Sequence, residues 1–131
     1  MSPLSRLLLE STSLSELEHG LYHKASIWEY KAGDLDCIHL QSIMVKKNAP
    51  PGTGTEFMRE LIGIANRDNK WITLDLGSRD YGSKYSEYKS TTSSSRLKRW
   101  YSSLGFKRNS AKGLYQLRGS MHRPPRGVYP W

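Results

Sequence analysis

Apolar positions recur at helical spacing in two stretches of the chain. Phe57, Met58, Leu61, Ile62, Ile64 and Ala65 fall on one broad face of a helix predicted from Thr55 to about Arg67. Leu97, Trp100, Tyr101 and Leu104 repeat that spacing in a second helix. Ser93, Ser94 or Ser95 caps it and Gly105 ends it. A shorter helix is expected after Ser13, where Ser13 and Glu16 have the spacing of a reciprocal cap. Leu14, Leu17 and Leu21 would be its apolar stripe, and Gly20 its stop.

Elsewhere the period is two. Lys24 to Tyr30 alternates loosely, with Ile27, Trp28 and Tyr30 as strand formers. The turn Lys31-Ala32-Gly33-Asp34 leads back into a strand from Asp36 to Val45. Alternation puts Ile38, Leu40 and Ser42 on one face of it, and Cys37, His39, Gln41 and Ile43 on the other. Trp71 to Leu76 is a further strand, with Trp71, Thr73 and Asp75 opposite Ile72, Leu74 and Leu76. A strand, a helix and a strand in succession predict a crossover and a parallel pair. Arg6 to Glu10 gives one more strand. Phe106 and Leu114 to Leu117 would close a hairpin across Asn109 to Gly113. Arg79 to Ser95 is polar, without apolar periodicity, and reads as a long functional loop. The expected class is α/β (α+β): a mixed, mostly antiparallel central sheet with a central parallel strand pair, flanked by helices. One domain would span residues 1–120, followed by a Pro/Arg-rich tail over 121–131.

Charge adds a second pattern. The 131 residues carry a formal charge of +8, unevenly spread. Up to Tyr88 there are ten Lys/Arg and twelve Asp/Glu; beyond Glu87 there are ten Lys/Arg and no acid. A basic C-terminal third suits nucleic acid, an acidic protein or a phosphorylated cofactor, or is a solvated face. Cys37 is the only cysteine, which excludes an internal disulfide and suits a small buried hydrophobe. Four scattered His and one Cys make no ligand set, so no metal is expected. Leu7-Leu8-Leu9 is too short for a signal-peptide core and nothing approaches a membrane span, so a cytoplasmic protein is expected.

The candidate chemistry begins at Pro50-Pro51-Gly52-Thr53-Gly54. Two glycines between a strand and a helix permit a sharp turn and leave amides uncovered at the helix start. Such a turn binds phosphate, or it only caps a packing helix. A second motif lies downstream: a helix ending in Tyr101, then Ser102, Ser103, Leu104, Gly105 and Phe106. In that order, the two motifs resemble the GNAT-type N-acetyltransferases. That family carries Arg/Gln-x-x-Gly-x-Gly/Ala before a helix, then a helix ending in Tyr with Gly-Phe beyond. Gly52 and Gly54 stand at the glycine positions, Phe57-Met58 where Leu-Leu is usual, and Ala49 where Arg or Gln is usual. The likeness covers roughly residues 36 to 118. The part before Asp36 is short for the family, a compact form of the kind met among phage proteins.

The resemblance implies an acyl-CoA N-acyltransferase fold with a shortened N-terminal part, and acetyl-CoA as cofactor. Amides of Gly52, Thr53, Gly54 and Thr55 would hold the pyrophosphate, and Lys46 and Lys47 would add charge beside the phosphates. A bulge near Ile43, Met44 and Val45 would splay that strand from Trp71–Leu76, and an amide near Met44 would face the thioester carbonyl. Ser94 takes the place of a cofactor-contacting Asn. Tyr101 would be the general acid. For the base, His39 and Glu29 come first, with Gln41 and Asp75 also near the expected cleft. The implied activity is transfer of acetyl to a primary amine of a protein lysine, an aminoacyl-tRNA or a small molecule. The alternative is a non-catalytic module on the same fold that binds nucleic acid or a host protein. A homodimer is compatible with either.

Overall fold

The computed structural model describes residues 13–76, 87–88, 94–109 and 119–128. Within them the chain is α+β. Strands β1 (His23–Ala32), β2 (Leu35–Val45), β3 (Trp71–Leu74), β4 (Lys107–Arg108) and β5 (Met121–Arg123) form one sheet. Their order is β1-β2-β3-β5-β4. β2 and β3 are parallel and every other pair is antiparallel. Helices α1 (Leu14–Leu17), α2 (Thr53–Arg67) and α3 (Ser94–Ser103) pack around it. The parallel pair follows from the crossover through α2, as the hydrophobic periods predict.

The core lies between the sheet and α2. Phe57, Met58, Leu61, Ile64 and Ala65 of α2 meet Ala25, Ile27, Ile38, Leu40, Ile72, Leu74 and Met121. Each Ile, Leu, Met or Phe side chain among them, once fully buried, contributes about 1.5–3 kcal/mol before entropy. Tyr101 and Phe106 enter the same cluster from the end of α3, ring edge to ring face at 5.7 Å. The other sheet face buries Ala32, Cys37 and Trp71, and with them the polar His39, Thr73 and His122.

Helix ends explain where the chain turns. Ser13 Oγ accepts from the Glu16 amide at 3.2 Å, the expected cap of α1. The helix stops at Leu17, however, so Leu21 leaves the predicted stripe and is 77% exposed. α2 starts at Thr53, two residues before the expected Thr55. Gly52 enters it at φ 87, a left-handed turn that glycine makes without strain, and Thr53 Oγ1 donates to Pro50 O at 2.7 Å. α3 closes through Gly105 at φ 97, with the Phe106 amide bonded to Tyr101 O.

Two expectations are corrected. The register of β1 on β2 shifts between Ser26 and Ile27: Ser26 faces Ser42, Ile27 faces Leu40, and Gln41 has no partner in the register, its side-chain oxygen accepting from Ser26 Oγ at 3.3 Å. This bulge flips the alternation. Ile43 therefore packs on the core with Ile38 and Leu40, not on the face of His39. The second correction is at the end of the chain. Met121–Arg123 is not a tail but a strand between β3 and β4, with Met121 and His122 buried. Asn66 Oδ1 accepts from Arg123 Nη1 and from the Arg126 amide, tying the following turn to α2. Three residues are too few to show a period, which is why no strand was expected there.

The expected strands Arg6–Glu10 and Leu114–Leu117 lie outside the described residues, as does most of Arg79–Ser95. From that stretch Tyr88 bridges to Lys46, and Glu87 O accepts from the Lys47 amide at 2.8 Å. Among the described residues no helix is long and apolar enough to cross a membrane.

Candidate active site

The bulge at Gln41 opens one edge of β2. Pairing with β3 runs from Cys37 opposite Trp71 to Leu40 opposite Leu74 and stops. Past Leu74 the chain turns toward β5: Ser120 N donates to Leu74 O, and Leu76 N to Ser120 Oγ. Among the described residues, β2 keeps only β1 from Gln41 to Val45. The Lys46 amide donates to Tyr22 O on the β1 side, and the Lys47 amide to Glu87 O on the other. Strand alternation then turns the Met44 amide toward β1, and the amides of Ile43 and Val45 toward the vacated side. The window is closed at one end by Leu40 and Leu74 and at the other by Lys47 and Glu87. Exposed donors and acceptors on such an edge take an extended chain bearing amides. The resemblance implied an amide near Met44; the Met44 amide faces β1 and those of Ile43 and Val45 face away from it, and the bulge lies two residues before Ile43.

The start of α2 stands at the end of this strand. Gly54 and Thr55 are in its first turn, where no carbonyl of the helix is available to their amides. Nothing lies within 4 Å of a Cβ built on Gly52, so the turn there is open. A Cβ on Gly54 would stand 3.7 Å from the Trp100 ring and 4.0 Å from Val45 Cγ2. Trp100 of α3 thus walls the turn. Lys46 is half-buried and Lys47 exposed, both at the strand end beside it. A diphosphate fits an open, positively polarised turn of this kind.

On the opposite face a polar chain crosses three strands. Tyr30 Oη and Thr73 Oγ1 share a hydrogen bond of 2.9 Å, and Thr73 Oγ1 and His39 Nδ1 one of 2.8 Å. His39 Nε2 stands 3.3 Å from Asp75 Oδ2. His39 is buried; the Asp75 side chain is 46% exposed and opens the chain to solvent. Trp28 lies against the imidazole at 4.7 Å between ring centroids. Trp28, His39, Gln41, Asp75 and Gly119 line a cleft of about 310 Å³. Of the residues expected near the cleft, His39 and Asp75 therefore touch, and Gln41 is beside them. Glu29 is not brought to this cleft. It follows Trp28 and so points to the other face, where it pairs with Lys70.

Tyr101 is 4% exposed and packs against Phe106 and Trp100. Burial alone pushes its phenol up to about 12, so it holds its proton throughout the neutral range. Ser94 is the first residue of α3. Cys37 is buried and its thiol is pushed up, chiefly by desolvation, which suits packing and not nucleophilic attack. Among the described residues no group of His, Cys, Asp and Glu could hold a metal ion.

Sequence reasoning missed Trp28 and Thr73 as partners of His39, and Gly119 as a wall. Asp75 at the end of an apolar strand was the one available signal for the network. Comparison with family models, with curated proteins and with solved structures finds no match.

Proposed function

We propose that the protein is an acetyl-CoA-dependent N-acetyltransferase of the GNAT type, acting on a primary amine. The observation that carries this reading is the edge of β2 at Ile43 and Val45, which no strand among the described residues pairs. It runs from the α2 turn toward the His39–Asp75 cleft, in a mixed sheet whose one parallel pair is β2 and β3. The two sequence motifs follow it along the chain in the order of that family.

The residues fit the cofactor in distinct ways. The edge amides of Ile43 and Val45 would bind its amide-bearing arm, and one of them would donate to the thioester oxygen as charge develops there. The first-turn amides of α2, with Lys46 and Lys47, would hold its phosphates. Acetyl-CoA, when bound, supplies an acyl group already activated as a thioester. Asp75 and His39 accept the proton that an attacking ammonium must lose, and Asp75 holds the imidazolium that results. Tyr101 carries a proton for the departing sulfur, its raised pKa keeping it protonated until that moment. Transfer forms an amide N–C bond, breaks the C–S bond and returns a thiol.

The second reading is a non-catalytic module on the same fold, and Trp100 favours it by walling the turn at Gly54. The exposed Arg96, Lys98 and Arg99 of α3 would then contact nucleic acid or an acidic host protein. Calorimetric titration with acetyl-CoA separates the two. The transferase reading expects one saturable site, weakened at least about tenfold by Gly54→Glu, whose carboxylate would oppose the phosphates. Absence of wild-type binding at millimolar cofactor would sink it.

A further inference from the structure

A second cleft, of about 400 Å³, adjoins the first. It is lined by Leu76 beyond β3, Ser95 and Lys98 of α3, Arg108 of β4, and Ser120. Gly119 lines both clefts. Its φ of 79 and its surroundings admit no side chain: a Cβ there would stand 2.4 Å from Leu74 O and 3.0 Å from Asp75 Oδ1. The partition between the clefts is therefore bare backbone.

The two clefts differ in charge. The first presents the Asp75 carboxylate beside His39. The second presents Lys98 and Arg108, on separate elements and both exposed. Among the described residues neither belongs to an ion pair; the four ion pairs there use other groups. None of the described residues lining this cleft is Asp or Glu, and the sequence from 94 to 128 contains neither. Ser120 Oγ accepts from the Leu76 amide, which leaves its O–H to donate. Two cations and two hydroxyls without a carboxylate among them make an anion site. Two clefts of opposite charge that share one bare wall select a molecule with an amine at one end and an anion at the other.

We propose that the second cleft is an anion subsite of the acceptor, binding the phosphate of a phosphorylated primary amine whose nitrogen enters the His39–Asp75 cleft. The assignment of that nitrogen as the acetylated atom rests on the transferase reading; the subsite itself does not. Lys98 and Arg108 neutralise the phosphate, and Ser95 and Ser120 hydrogen-bond it. Asp75 meets the ammonium.

The test uses the full chain without cofactor and three small probes: O-phosphoethanolamine, ethanolamine and β-alanine, titrated by calorimetry. Wild type is expected to bind O-phosphoethanolamine about tenfold or more tightly than ethanolamine, with β-alanine between them. Lys98→Ala and Arg108→Ala should each cut that preference about threefold to tenfold and leave ethanolamine binding unchanged. Both are exposed, so the variants should fold. Equal affinity for the two amines in wild type overturns the subsite, whether or not acetyl-CoA binds. So does a preference unmoved by both substitutions. If the variants instead lose acetyl-CoA affinity and remain indifferent to O-phosphoethanolamine, the cations serve the cofactor and the proposal fails. If a short RNA binds through Arg96, Lys98 and Arg99 alike while the small amines do not bind, α3 is a nucleic-acid surface and the proposal fails. A wild type that prefers O-phosphoethanolamine but ignores acetyl-CoA keeps the subsite and removes the transferase.

Discussion

The two halves of β2 share a strand and differ in everything that follows from pairing. Leu35 to Leu40 has β1 on one side and, over Cys37 to Leu40, β3 on the other, and those four residues are all buried. Among the described residues Ser42 to Val45 has β1 alone, and all four are half-buried. One unpaired residue, Gln41, separates them. The first half spends its backbone groups on the sheet; the second turns the amides of Ile43 and Val45 away from β1, toward no strand among the described residues, and the proposed site uses them. A site of this kind needs no special side chain. It needs a strand that is anchored for half its length and then left without its neighbour.

Several substitutions would break or sharpen that contrast. Leu40→Ala, in the doubly paired half, should lower stability by about 2–5 kcal/mol in urea denaturation. Val45→Ala should cost less than half of that. Tyr101 belongs to the packed side by burial and to the site by its motif, and pH separates the two roles. Its phenol is raised from 10.0 to about 12 in the folded chain. The stability this represents is complete below pH 10, where folded and unfolded chains both hold the proton. It is lost as pH rises toward 12, where only the unfolded chain has released it. The loss should approach roughly 2–3 kcal/mol, and Tyr101→Phe should flatten it. At neutral pH the same variant should keep acetyl-CoA affinity and lose turnover by about a hundredfold or more.

Proline scanning tests the alternation directly. Met44→Pro removes an amide that faces β1, and should cost about 1–3 kcal/mol by stranding the acceptor across the ladder. Val45→Pro removes an outward amide. It should cost less stability and weaken acetyl-CoA binding about tenfold. A reversed order would mean that the edge faces the other way. The smallest effect is expected at Gly52→Ala. The space is open, but φ 87 is unfavourable for a side chain, and about 1–2 kcal/mol should be lost.

The helix and the strands around this feature were legible in the sequence because their periods are long. Fifteen residues of α2 repeat one pattern, and the crossover through it from β2 to β3 fixes a parallel pair. The bulge was not legible at its true place. Gln41 is neither Gly nor Pro, and nothing local marks it; the shift exists only in the register with β1. Every face assigned beyond it was therefore reversed, Ile43 first. Glu29 failed for the related reason that strand parity, not proximity in sequence, decides which of two neighbours enters a cleft. Trp28 entered and Glu29 did not. Tyr101, His39 and Asp75 were legible as candidates by residue type. Their separation onto two sheet faces was not, because it depends on which face α2 covers. The basic cleft was foreshadowed by the acid-free C-terminal third, but convergence of Lys98 and Arg108 requires the placement of β4 beside α3.

Amide hydrogen exchange at Ile43, Met44 and Val45, with and without acetyl-CoA, tests the central claim most directly. In the free protein the Met44 amide should be protected by β1, and those of Ile43 and Val45 should exchange faster. Saturating acetyl-CoA should slow Ile43 and Val45 and leave Met44 nearly as it was. Unchanged exchange at both Ile43 and Val45 under saturating cofactor would contradict the account.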